Sequence, residues 1–249
     1  MNCLTPKSGM PCITDIFWNG QTGKTESQGF LEETMLDSTG FDLWAKGYDA
    51  DVEISDEGNE YPFAGYKKVL AGIYNTVMGT PNAVVLDLGF GTGTLTTKLY
   101  KGGCIIYGQD FSLEMIAAAL EKMPDAYLYQ GDFAQGLCEP LKEQLYDFII
   151  ATYSIHHLPD RQKIQLLKEL RKYLRGEGKI LIGDVAFENR EEFERCKAEY
   201  GESWDDEEIY CVADELRKEF RDLHFEKVTF CSGILTLGKT DRDLLEGNI

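Results

Sequence analysis

The sequence predicts an α/β fold in which a mostly parallel, doubly wound sheet is covered by helices on both faces. Three observations predict it. From residue 82 onward, short apolar runs alternate with amphipathic stretches. The runs FIIA and ILI are too uniformly apolar for a sheet with one wet face. The run VLDLGFGTG from Val85 passes through closely spaced glycines into a helical repeat. A strand, a glycine turn and a helix together place a ligand crevice at the carboxyl ends of the strands.

Each element has its own signal. Residues 1–40 lack periodic hydrophobics and are rich in Gly, Ser and Thr, which predicts a weakly structured N-terminal extension. Gly23-Lys24-Thr25 ends like a phosphate-binding loop, but Trp18 stands where the loop's first glycine belongs. Phe41, Trp44, Ala45 and Tyr48 fall at helical spacing, as do Val69, Leu70, Ile73 and Val77 within a helix predicted from Tyr66 to Met78. Residues 41–79 therefore read as N-terminal lid helices, interrupted by the acidic loop DADVEISDEGNE. Strands are predicted at 83–88, 104–109, 126–130, 146–152 and 179–185, with helices starting near Thr92, Ser112 and Asp160, the last two as N-caps. The acidic stretch 187–223 favours helix and is predicted to be a helical cap insertion. Runs at 225–230 and 234–238 around Ser232-Gly233 predict an antiparallel hairpin, giving seven strands. With no repeat or linker in view, residues 41–249 are expected to form one domain.

Composition narrows the function. The 249 residues carry 43 acidic and 25 basic groups, a net charge of −18. Residues 188–222 hold 14 acidic and 6 basic groups, whereas residues 80–187, around the glycine turn, hold 13 and 11. Excess negative charge beside the crevice disfavours a polyphosphate or nucleic-acid partner. No apolar run approaches the roughly 20 residues that cross a bilayer, and the N-terminus has no apolar leader, so a cytoplasmic protein without membrane association is expected. Seven scattered cysteines without a CxxC pair fit neither a disulfide framework nor a zinc site, and no metal is expected.

The glycine turn is spaced GxGxG, not the GxGxxG of a dinucleotide site. Asp87 lies two residues before the first of these glycines, where its carboxylate repels a pyrophosphate and attracts an ammonium or sulfonium. Asp110, 23 residues further on, stands where such domains place an acid on ribose hydroxyls. Asp132 ends the third strand in the same way. Three acids at neighbouring strand ends point to a cationic ligand with a ribose.

These motifs, DLGFGTG, YGQDFS, GDF and YDFIIATYSIHHL, resemble those of the class I S-adenosylmethionine-dependent methyltransferases over residues 41–185. The runs FDLWAKGYD and LRGEGKILIGDVAF make the small bacterial YrrT-type methyltransferases the nearest resemblance. The resemblance implies a Rossmann-like fold, S-adenosylmethionine as cofactor and S-adenosylhomocysteine as product. It places Asp87, Gly89, Gly91 and Gly93 around the methionine moiety, Asp110 and Phe111 at the ribose, and Asp132 and Phe133 at the adenine. Tyr48, with Trp44, is expected to close over the sulfonium, which aromatic faces attract.

Methyl transfer from a sulfonium is an in-line displacement that depends mainly on holding nucleophile and methyl group in line away from water. Tyr153, His156 and His157 follow the fourth strand and Asp184 lies in the fifth, so His156, Tyr153 and Asp184 are the candidate catalytic residues. His156 is preferred over His157 as the proton acceptor. The expected acceptor is a small molecule handled by a monomer or homodimer. A tRNA or other RNA acceptor lacks a Lys/Arg cluster to bind it, since the basic run from Arg161 to Arg175 reads as the solvated face of a helix turning Ile164, Leu167 and Leu170 inward. A cofactor-binding regulatory protein without catalysis is the third reading.

Overall fold

A computed structural model describes residues 60–239. The proposed N-terminal extension, Trp44 and Tyr48 lie outside the described residues, as do Cys3 and Cys12. The helix α1 (Tyr66–Met78) buries Val69, Leu70, Ile73 and Val77. Next come β1 (Val84–Leu88), α2 (Thr96–Lys101), β2 (Ile105–Asp110), α3 (Leu113–Lys122), β3 (Tyr127–Gln130), α4 (Glu139–Lys142), β4 (Tyr146–Thr152), α5 (Asp160–Leu170) and β5 (Leu174–Phe187). The remainder is α6 (Arg190–Tyr200), β6 (Cys211–Val212), α7 (Ala213–Leu216), β7 (His224–Lys227) and β8 (Ser232–Gly238).

The strands run in the order β3-β2-β1-β4-β5-β8-β7, with β6 attached to the end of β5. The five leading strands are parallel, and β8 runs antiparallel to both β5 and β7. Successive residues of the central strands feed different cores. Leu86, Ile149, Ile180 and Ile182 pack on one face with Leu167 and Leu170 of α5. Val85, Ile150 and Leu181 pack on the other with Val69, Ile73 and Val77 of α1. Two buried faces explain the near-continuous apolar runs. Chain direction through the sheet reverses between β1 and β4, and the ligand crevice belongs at that switch point. No helix among the described residues is long and apolar enough to cross a membrane.

Local expectations are revised at several places. The helix after the glycine turn starts at Thr96, not near Thr92, because Gly93 at φ +78° cannot sit in a right-handed helix. Ser112 caps α3 through Met115 N, but Asp160 is the first helical residue and Pro159 precedes it. The stretch 187–223 is helical only in α6, α7 and a short 3₁₀ turn, and it contributes an eighth strand, β6. The final hairpin turns ahead of Ser232, where Val228 N donates to Ser232 O, so both its strands begin earlier than predicted. On α5 the inward face is Lys163, Leu166, Leu167 and Leu170, and Arg171 just beyond is also buried. The basic run is therefore not simply a solvated face.

Candidate active site

A cleft of about 670 Å³ opens along the carboxyl ends of β1, β2 and β4. One half is built on the glycine turn. Gly89, Gly91 and Gly93 all have positive φ, and a Cβ on Gly91 would project into open space, so the backbone there lines a cradle free of side chains. A Cβ on Gly89 would lie 2.6 Å from Ser154 Cβ, and the Ser154 hydroxyl donates to Leu88 O, tying this turn to the one after β4. Gly89→Ala is expected to cost about 2–5 kcal/mol of stability, from a left-handed alanine and an overpacked contact. Urea denaturation will measure the loss.

The acids around the turn differ in exposure. Asp87 is 1% exposed, set beneath the turn rather than in the cleft wall. The Thr96 hydroxyl donates to its Oδ2, and Oδ1 has no partner. Burial foremost, with nearby Asp110, raises its pKa to about 7 against the Thr96 hydrogen bond. Asp110 is 4% exposed and reaches the cleft, accepting from Gly91 N and Ser112 N at 2.9 Å each. Asp132 is exposed and accepts from Ala134 N at 2.8 Å, while Phe111 and Phe133 line the same half. An orphaned carboxylate oxygen, a glycine cradle free of side chains and acids on successive strand ends suit a cationic ligand with hydroxyl groups.

The other half is aromatic and acidic. Tyr153, at φ +50°, packs its ring against Phe63 and Tyr66 at centroid distances of 5.5 and 4.9 Å. Left-handed backbone at a residue with a Cβ is uncommon and here directs the chain from β4 into the cleft wall. Tyr61 stacks on Trp204 and hydrogen-bonds Tyr210 hydroxyl to hydroxyl, so residues 61–66 and 203–210 meet over this half. His156 and His157 lie on a 3₁₀ turn after β4, and Asp184 stands behind His156 with no exposure. Asp184 Oδ1 contacts His156 Nδ1 at 2.6 Å and accepts from Val185 N at 2.7 Å. Asp184 thus positions His156 and does not itself line the cleft. Burial pushes the His156 imidazolium pKa down, but the Asp184 and Glu208 carboxylates outweigh burial and hold it above the usual value.

Glu208 faces both histidines from the opposite wall. Burial alone would raise its pKa, but His157, His156 and Lys163 lower it overall. Its segment is fastened from below: Ile209 N donates to His156 O at 2.9 Å, and the ammonium of Lys163, 0% exposed, donates to Ile209 O. Thr96, Ser154, Lys163, Glu208 and Tyr210 had no place among the sequence-derived candidates. Lys163 had a signal, since it lies three, four and seven residues before Leu166, Leu167 and Leu170 on one helix face. Glu208 had none, being one of four consecutive acids at 205–208.

Residues 85–178 match the model of a methyltransferase domain family. An uncharacterized methyltransferase of Anoxybacillus flavithermus is 36% identical over 180 residues, covering 72% of this chain and 80% of that protein. One from Geobacillus sp. (strain WCH70) is 38% identical over 181 residues, with the same two coverages. Among solved structures, magnesium protoporphyrin IX methyltransferase from Synechocystis PCC 6803 with bound S-adenosylhomocysteine aligns with a TM-score of 0.58 at 19% identity, covering 80% of this chain and 98% of that one. The DhpI complex with S-adenosylhomocysteine aligns with a TM-score of 0.60 at 17% identity, covering 82% and 96%. These two share the fold.

Proposed function

The chain belongs to the class I S-adenosylmethionine-dependent methyltransferase family, and from that premise we propose that it methylates a small-molecule acceptor seated between residues 61–66 and 203–210. The observation that carries this reading is the wall of the cleft. Among the described residues it includes four tyrosines, two histidines and the acids Asp205 and Glu208, but no lysine or arginine. An RNA acceptor needs cations along its path, and the described residues of this wall offer none.

When bound, S-adenosylmethionine supplies a methyl group already activated on sulfur. In this reading Asp110 holds the ribose, Gly89 to Gly93 shape the seat for the methionine moiety over Asp87, and Asp132 and Phe133 border the adenine. Tyr61, Phe63 and Tyr66 line the junction between the two halves, where in this reading their rings limit the access of water. His156, fixed by Asp184 through Nδ1, turns Nε2 toward Glu208 and the acceptor half. Loss of a side chain that handles an acceptor's proton or charge typically costs about 100-fold or more in rate. His156→Ala is therefore expected to lower turnover by about that factor while leaving S-adenosylhomocysteine affinity unchanged.

The deciding experiment incubates the protein and methyl-labelled cofactor with a cell metabolite extract and follows the label by mass spectrometry. A labelled small molecule absent from protein-free controls is the expected product. Label found only in RNA added to the same extract would overturn the reading.

A further inference from the structure

His156 Nε2 lies 3.5 Å from Glu208 Oε2, and His157 Nδ1 lies 3.3 Å from Glu208 Oε1. Both separations are long for charge-assisted hydrogen bonds. Glu208 Oε2, moreover, is buried and makes no hydrogen bond. Each separation, one to either oxygen of Glu208, is close to the roughly 3.4 Å between two donor atoms that lie about 2.0–2.1 Å from a tetrahedral ion. One donor atom from each of the three residues can be chosen so that all lie within 4.8 Å of one another. Behind them, the 2.6 Å contact of His156 Nδ1 with Asp184 fixes the ring with Nε2 forward. A carboxylate on the rear nitrogen is the usual support of a metal-bound histidine.

Sequence spacing hides this set, since Glu208 is some 50 residues from the histidine pair. The fold brings them together through the clamp of Ile209 on His156 O and Lys163. Around the two imidazoles the carboxylates of Asp184 and Glu208 outnumber the Lys163 ammonium, an arrangement that attracts a cation. All three donor residues also line the cleft, so an ion here would keep a position open to the acceptor.

We propose that His156, His157 and Glu208 form a site for a divalent transition-metal ion of the zinc class, positioned by Asp184 behind His156. The proposal rests on the methyl-transfer reading and deepens it: the acceptor is a small molecule whose hydroxyl or thiol completes the coordination. A cation at this point lowers the pKa of such a group, whose proton then leaves to bulk water. Its lone pair forms the new bond to the methyl carbon as the carbon–sulfur bond of the sulfonium breaks, the bonding pair staying on sulfur. Two nitrogens and a carboxylate select zinc, cobalt or iron over magnesium. In this arrangement His156 is a ligand through Nε2, not the proton acceptor that the sequence indicates.

The test uses the full chain, stripped with a chelator and titrated with Zn²⁺ by calorimetry and with Co²⁺ by visible absorption. One equivalent is expected to bind. Glu208→Gln and His157→Ala should each weaken binding at least 100-fold, and Asp184→Asn by about 10–100-fold, the usual cost of losing an outer-sphere partner. S-adenosylhomocysteine affinity, measured in the same samples, should be unchanged and shows that each variant is folded. Absence of stoichiometric Zn²⁺ and Co²⁺ binding by protein that still binds S-adenosylhomocysteine would overturn the metal site alone, as would undiminished binding by Glu208→Gln. Failure to bind S-adenosylhomocysteine at all would instead strike the methyl-transfer reading on which the site rests.

Discussion

Asp110→Ala is expected to weaken S-adenosylmethionine binding by two orders of magnitude or more, about 3 kcal/mol, which makes it the most damaging single change in the cofactor half. The size follows from what the carboxylate does. Its two oxygens accept from Gly91 N and Ser112 N, each at 2.9 Å, so one side chain ties the glycine turn to the start of α3. Alanine leaves both amides without that acceptor and removes the anchor assigned to the ribose hydroxyls. A hydrogen bond to a charged group contributes about 1.5–3 kcal/mol, and more than one is lost. Asp110→Asn is expected to fall between, because the amide can accept from one backbone N–H but turns a donor toward the other. Calorimetry with S-adenosylhomocysteine reads both variants, and unchanged affinity in Asp110→Ala would reject the ribose assignment. Ser112 still caps Met115 N in either variant, so circular dichroism should show α3 retained.

The parts of this molecule that were legible in the sequence are those fixed by local chemistry. Helix α1 declared itself because Val69, Leu70, Ile73 and Val77 repeat at 3.6 residues, and its observed bounds match the prediction. Strand β4 was equally plain, since residues buried on both faces leave no polar alternation. The cofactor half was readable for the same reason: Asp87, Gly89 to Gly93 and Asp110 lie within 24 residues on one strand-turn-helix-strand unit. The acceptor half was legible only in part: Tyr153, His156 and Asp184 stood out as strand-end candidates, but their partners did not. It joins Tyr61 to Trp204 and Tyr210, and His156 to Asp184 and Glu208, across separations of 28 to 149 residues that no local pattern encodes. Helix α5 shows how composition misleads: Lys163 counts as a surface charge until Ile209 O accepts from its ammonium in the interior. The Phe187 end of β5 was underestimated because its last pairing partner, Val212, lies in a stretch whose acidity suggested helix.

Asp87 gives the cofactor affinity a pH dependence with a predictable sign. Burial raises the pKa of this carboxyl to about 7, so near neutrality it is about half ionised in the free protein. The ligand assigned to the turn above it carries an ammonium and a sulfonium, and only the ionised carboxylate attracts them. Binding should therefore favour ionised Asp87, level off above about pH 8, and weaken about tenfold between pH 8 and pH 6 as the free protein takes up the proton. Folding stability runs the other way. The folded pKa lies above the unfolded value near 4, so the folded state holds its proton more tightly, and this group lowers stability as pH rises from about 4 through about 7. Asp87→Asn, which cannot ionise, should abolish the affinity step and flatten the stability slope over that range, with weaker binding at pH 8. Calorimetric titrations with S-adenosylmethionine at pH 6, 7 and 8 read the first effect, and thermal melts of the unliganded protein read the second. If Asp87→Asn keeps the full tenfold step, another group sets it, and the buried carboxylate beneath the glycine turn is not what recognises the cofactor's positive charge.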